Sequence, residues 1–340
     1  MGNQSLLWYK ANAVLQGKRY KIRPRCEFLP LNWGLRNSWP YFSGVLIPCL
    51  AYTISGMDVR KIKVIVLGWV YWLAVRVNSS LGIYLVNRTL PFGLPTLDYL
   101  EFHLADHCNL NCAGCLHYAP FAERRLADLV SLRQDFARLA RLFGNIRHVR
   151  IMGGEPLLHP NVIEAARIVR EAFPKSCVRV VTNGILLLKF NGLAELSKLN
   201  VGIDWTKYPP ASGKEMDVRR ACEEAGVSLR ITENSSFMAR LRVDGCEGIR
   251  KSFRWCRERM YCPFLDGGRI YPCAPARFAG AYNKVSGWKI PVEPGLDIHS
   301  TSARDIMLYL MRPSLSCSFC AAASRHFQWK VCTGPEDWRI

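Results

Sequence analysis

From residue 97 onward the apolar positions switch between a period of two and a period near 3.6. Residues 97–104 alternate as a strand does. Residues 122–143 place Leu129, Leu132, Phe136, Leu139, Leu142 and Phe143 at helical spacing. The same pattern predicts strands over 148–152, 178–181, 201–205 and 227–232. Helices are predicted over 161–173, 192–199 and 215–225 between them. Strands alternating with helices build parallel β/α units. With a sixth strand expected near 238–243, the fold class is α/β: a partial, TIM-like (β/α)6 barrel. A doubly wound sheet is the alternative.

Beyond residue 245 the alternation stops, and cysteine, glycine, proline and aromatic residues rise. Asp266-Gly267-Gly268 between apolar flanks predicts a hairpin over 262–273, and 304–311 suits a short helix. Upstream of residue 96 the pattern differs again. Residues 37–57 are uncharged and near the roughly 20 residues that cross a bilayer, but Pro40 and Pro48 interrupt them. Residues 64–75, between Lys63 and Arg76, are too short to span and rich in Trp and Tyr. They suit a helix packed on the enzyme body, with an interfacial helix as the alternative. Met57, followed by Asp-Val-Arg-Lys-Ile-Lys, looks like a second start, so 1–56 are expected to be dispensable. Three regions result: 1–95, an apolar and basic extension with peripheral membrane association as one use; 96–245, the barrel; and 246–340, a cysteine-rich extension.

Composition narrows the class. Hydrophobic residues at 49% and charged ones at 21% exclude a disordered chain. The formal charge of +19 suits anionic partners, or solubility alone. Residues 1–57 hold seven basic residues and one acidic residue, so the excess is spread along the chain. Fourteen cysteines are many. The N-terminus has no signal-peptide core, and Leu6 breaks the myristoylation pattern. The cysteines therefore read as metal ligands in a reducing, cytoplasmic setting.

Cys108, Cys112 and Cys115 form a C-x3-C-x2-C stretch just after the first predicted strand. A loop there can bring three sulfurs together and leave one metal position open. Thiolates suit iron–sulfur clusters and zinc alike. A zinc knuckle would need a fourth ligand, for which His107 and His117 are candidates. About 40 residues later, Met152-Gly153-Gly154-Glu155-Pro156 follows the second strand, and Val180-Val181-Thr182-Asn183-Gly184 closes the third. Two glycines let a backbone approach a ligand closely.

Together these motifs resemble the radical S-adenosylmethionine (SAM) superfamily over roughly residues 97–245. The resemblance implies that Cys108, Cys112 and Cys115 hold a site-differentiated 4Fe-4S cluster whose free iron SAM chelates. It implies that Gly153, Gly154, Glu155 and Pro156 bind the SAM amino group, and that Asp204, Thr182 and Asn183 face the SAM site. Capping of the following turn is an equal alternative for Thr182 and Asn183. The residue before the third cysteine is usually aromatic in the family, and here it is Gly114.

Further on, Gly268-Arg269-Ile270-Tyr271-Pro272-Cys273 resembles the hairpin of the SPASM and twitch extensions. That likeness implies an auxiliary 4Fe-4S cluster on Cys273, Cys317, Cys320 and either Cys256 or Cys262. Only Cys332 follows Cys320, so the shorter twitch form fits. A zinc site on the same thiols is the alternative. The remaining cysteines read as buried free thiols.

The resemblance implies reductive SAM cleavage and hydrogen abstraction from a small polar, sugar-type substrate. The expected partners are that substrate and a one-electron reductant such as flavodoxin or ferredoxin. Nucleic acid is not expected, because no discrete basic and aromatic module appears. Peptide modification, RNA modification and a non-enzymatic zinc or iron–sulfur protein are the alternatives. Tyr118, Lys207 and Tyr208 lie near the expected site, but no general base can be chosen among them.

Overall fold

The computed structural model describes residues 94–242, 244–259 and 262–339. The uncharged stretches at 37–57 and 64–75, the second start at Met57, and Cys26 and Cys49 lie outside the described residues. Among the described residues no helix is long and apolar enough to cross a membrane.

The expected alternation is present. β1 (Thr96–Ala105), α1 (Leu129–Leu142), β2 (Asn145–Gly153), α2 (Val162–Ala172) and β3 (Cys177–Thr182) follow in order. α3 (Leu193–Lys198), β4 (Val201–Lys207), α4 (Glu215–Glu224) and β5 (Leu229–Glu233) complete it. α1 begins later than its apolar spacing predicts. Leu126 bridges Ala105, and the Ala127 N–H donates to the Leu104 carbonyl at 2.9 Å, so this stretch is held beside β1. Asp128 then caps the helix, accepting from the Val130 and Ser131 N–H groups at 3.3 and 2.9 Å.

β1 to β5 pair in parallel, in the spatial order β5-β4-β3-β2-β1. The order never reverses among them. A doubly wound sheet would reverse at a switch point, so the progression is that of an open, partial barrel.

The expected sixth barrel strand is corrected. β6 (Ser236–Leu241) pairs with β10 (Cys320–Gln328) in a separate antiparallel sheet. Only Asn234 and Ser235 separate β5 from β6. A parallel crossover needs about a dozen residues, so β6 could not join β5 in parallel. The sheet grows instead at its other edge. After α5 (Ile249–Arg259), β7 (Phe264–Asp266) runs parallel to β1, and β8 (Arg269–Tyr271) returns antiparallel across the Gly267–Gly268 turn. α6 (Ala274–Ser286), β9 (Leu296–Asp297), which pairs with β8, and α7 (Ala303–Leu310) follow. The parallel strands are thus β1 to β5 and β7.

Alternate strand residues face opposite sides. On one side Leu100, Phe102, Leu104, Ile151, Val180 and Ile203 are buried in one core with residues of α1 and α2. Phe102 meets Phe136 edge-on at 5.3 Å between ring centroids, and Phe136 meets Phe173 at 6.3 Å. Burying a side chain like Phe136 contributes roughly 1.5–3 kcal/mol. The other side is polar and carries Tyr99, Glu101, His103, Arg150, Arg179, Asp204 and Arg230.

Glu101 is buried on that polar side and accepts from the Tyr99 hydroxyl at 2.8 Å. Burial lifts its carboxyl from 4.5 to about 7, against the pull of Tyr99 and Arg150. The folded protein therefore holds this proton more tightly than the unfolded chain. The resulting stability is complete below pH 4.5 and is lost as pH rises through 7. Glu101→Gln is expected to gain on the wild type by about 3 kcal/mol between pH 4 and 8 in urea unfolding. A difference that stays constant over that range would disprove it.

Candidate active site

The end of β1 leads into the cysteine loop, and the end of β2 is pressed against it. The Gly154 N–H donates to the Ala105 carbonyl at 2.8 Å and the Glu155 N–H to the His107 carbonyl at 3.1 Å. A Cβ on Gly153 would lie 2.2 Å from the Ala105 oxygen, and one on Gly154 2.4 Å from the His107 backbone. The glycine pair is therefore required by close approach to the protein's own cysteine loop.

Glu155 is fully buried and both its oxygens are engaged. Oε1 accepts from the Thr182 hydroxyl at 2.7 Å and the Leu157 N–H at 3.1 Å, and Oε2 from the Asn183 N–H at 2.8 Å. Burial lifts its carboxyl to about 7 against the opposing pull of these donors. Pro156 opens the short helical turn Pro156–Leu158, where its missing N–H is no loss. The Asn183 side-chain amide reaches back to Asn109 Oδ1 at 2.7 Å and Cys108 Sγ at 3.5 Å. One hydrogen-bond chain thus links the ends of β2 and β3 to the cysteine loop.

Cys108, Cys112 and Cys115 lie close enough that charge on either of the other two makes Cys108 harder to ionise. Burial is the main cause that pushes Cys108 up to about 12 and Cys112 up to about 11, and it raises Cys115 as well. Metal groups bind the thiolate, so a bound cation would have to offset this cost. Among the described residues no three Cys, His, Asp or Glu side chains are gathered tightly enough for a single metal ion. A lone zinc, with bonds of about 2.3 Å to sulfur, would require these thiols to be drawn closer. Three thiols on one loop fit the donor set of an iron–sulfur cluster with one corner free.

Sequence reasoning missed several neighbours. The Trp329 indole N–H donates to Cys112 Sγ at 3.1 Å, and the Trp338 indole N–H to the Cys115 carbonyl at 2.9 Å. Their only signal in the sequence is an aromatic-rich C-terminal stretch, more than 200 residues away. Tyr208 is half-buried, and charge on all three thiols reaches its hydroxyl. Burial, and then the thiol charges, raise its hydroxyl far above the ordinary range. Lys207 turns elsewhere, to Glu215 at 2.6 Å and to Glu233. Tyr118, in the left-handed region at φ 51°, lies near Cys115 and also near Cys273 and Cys320.

Asp204 is almost fully buried in the polar face, and three guanidinium groups share its carboxylate. Arg179 donates to Oδ1, and Arg150 and Arg230 donate to Oδ2.

Cys256, Cys262, Cys273, Cys317 and Cys320 form a second gathering. Burial raises Cys262 and Cys273 well above the thiol range, and charge on Cys256 adds to both. Cys317 and Cys320 act on Cys273 in the same way. Buried Arg240 opposes the rise at Cys262 and Cys320, and its guanidinium lies 4.3 Å from the Trp255 ring centroid. All described cysteines are free thiols.

Residues 103–232 match the radical SAM superfamily, and this segment is a radical SAM enzyme domain. The chain is 34% identical over 112 residues to a GTP 3′,8-cyclase of Chlorobaculum tepidum, which covers 32% of this chain and 33% of that protein. It is 32% identical over 111 residues to molybdenum cofactor biosynthesis protein 1 of Bos taurus, covering 31% of this chain and 17% of that one. The chain spans about a third of the length of the bacterial relatives it matches. Among solved structures, BtrN in complex with AdoMet and 2-DOIA aligns with 66% of this chain and 92% of its own, at 17% identity and TM-score 0.44. The second cysteine gathering lies beyond the family match.

Proposed function

We propose that this chain is a radical SAM enzyme in which Cys108, Cys112 and Cys115 hold a 4Fe-4S cluster and the strand ends at Gly153–Pro156 and Thr182–Asn183 border the SAM. When bound, the cluster and SAM supply a 5′-deoxyadenosyl radical that takes hydrogen from a small polar, sugar-type substrate. The observation that carries this is the hydrogen-bond chain from Thr182 and Asn183 through Glu155 to the cysteine loop. It ties two strand ends to the start of the cysteine loop at Cys108 and Asn109. Glu155 acts through the Thr182 hydroxyl and the Asn183 backbone N–H, and the Asn183 side chain orients Asn109 beside Cys108.

A polar substrate is supported by the polar face below this rim, where Tyr99, Glu101 and Arg150 lie. We assign the second gathering to an auxiliary 4Fe-4S cluster on Cys273, Cys317, Cys320 and one of Cys256 and Cys262. Residues 246–340 then carry both the last parallel strand, β7, and the twitch-like extension. The electrons come from a one-electron donor such as flavodoxin or ferredoxin.

Anaerobic reconstitution with iron and sulfide tests both sites. About eight irons per chain, and 5′-deoxyadenosine on reduction with SAM, are expected. About four irons would remove the auxiliary cluster, and bound zinc without SAM cleavage would overturn the whole proposal.

A further inference from the structure

The C-terminal segment that ends β10 is zipped onto the cysteine loop. The Ala113 N–H donates to the Lys330 carbonyl at 3.0 Å, the Cys332 N–H donates to the Asn111 carbonyl at 2.7 Å, and Cys112 stands opposite Val331. Trp329 is itself fixed by its backbone N–H, which donates to the Ser235 carbonyl at 2.7 Å. Phe327, one turn of the pleat earlier, lies over Gly114: a Cβ there would come 2.7 Å from its ring. The loop therefore has no room for the aromatic residue that the family usually places before its third cysteine. β10 brings its own ring to that spot.

We infer that Trp329 is a positioning residue of the cysteine loop, whose indole N–H on Cys112 Sγ makes the group held by that sulfur easier to reduce. The inference rests on the assignment of Cys112 to the first cluster. A hydrogen bond to a ligand sulfur stabilises the more negative, reduced state, because added charge spreads onto the sulfur that accepts the proton donor. The step concerned is the gain of one electron from an external low-potential donor, with no bond made or broken. The 3.1 Å separation and the pinned backbone mean that the donor is already in place and need not be ordered on reduction.

The test is a redox titration of the reconstituted full chain, following the electron paramagnetic resonance signal that changes when SAM is added. Trp329→Phe keeps the ring and removes the donor. At a fixed potential its reduced-to-oxidised ratio is expected to fall about tenfold, with iron content unchanged. Trp329→His, which retains a ring N–H, is expected to recover part of the loss. An unchanged ratio in the Phe variant would overturn the inference. So would loss of the SAM-sensitive cluster from both variants, because packing rather than the N–H would then be what matters. A wild-type chain with no SAM-sensitive signal would instead sink the assignment of the first cluster itself.

Discussion

Replacing Cys112 with alanine is expected to remove about half the iron of the reconstituted protein and to reduce 5′-deoxyadenosine formation to background. Cys112 is buried in the loop; its sulfur accepts from the Trp329 indole N–H, and charge on Cys115 reaches it. The loop backbone on both sides is tied down by bonds from Asn111 and Ala113 to the C-terminal segment. The fold is therefore expected to survive the substitution, and the loss to fall on the metal group. Cys112→Ser keeps the volume and should fail in the same way, because an alkoxide is a poor substitute for a thiolate on iron. Far-ultraviolet circular dichroism and iron analysis separate the two effects. An alanine variant that still cleaved SAM would exclude Cys112 as a ligand.

The second large effect is expected at Asp204, on stability rather than chemistry. Its carboxylate is 7% exposed and serves Arg150, Arg179 and Arg230 at once. Arg179 is committed deeper still, donating to the Ser228 carbonyl at 3.1 Å and to the Ile203 carbonyl. It fits because residue 202 has no side chain: a Cβ there would lie 2.4 Å from its Nη1. Asp204→Ala would leave three guanidinium groups facing one another around a buried gap. Removing one partner from a buried ion pair typically costs about 3–5 kcal/mol, mostly through the stranded charge. Asp204→Asn keeps the shape and loses the charge, so it should be nearly as destabilised in urea titration. An Asn variant within about 1 kcal/mol of wild type would show that solvent, not Asp204, carries the arginine charges.

Local pattern made the first half of the domain legible. The apolar stripe of α1 and the alternation of β1 are set by burial on one side, and such periodicity survives in the sequence. The start of α1 was less legible, because Leu126 and Ala127 continue the apolar run while belonging to an extended segment beside β1. The fate of β6 could have been judged from its two-residue link to β5. α5 and α6 lie beyond residue 245, where the cysteine-rich composition suggests that the β/α alternation ends. At the site, the clustered motifs announced themselves by spacing. What they touch did not: no spacing rule connects Gly114 to Phe327, or Asp204 to arginines on three different strands. Those partners are chosen by the sheet register, which local pattern does not encode.

The pairing of Cys112 with Trp329, 217 positions further along, also orders events during synthesis. A ribosome delivers the N-terminal part of a chain first. β1 to β5 can therefore assemble while the three thiols still lack the indole donors and the backbone pairing that later cover them. Until the last stretch emerges, the nascent domain carries a bare, oxidisable thiol loop. Loading of metal is best deferred until translation has passed Trp338.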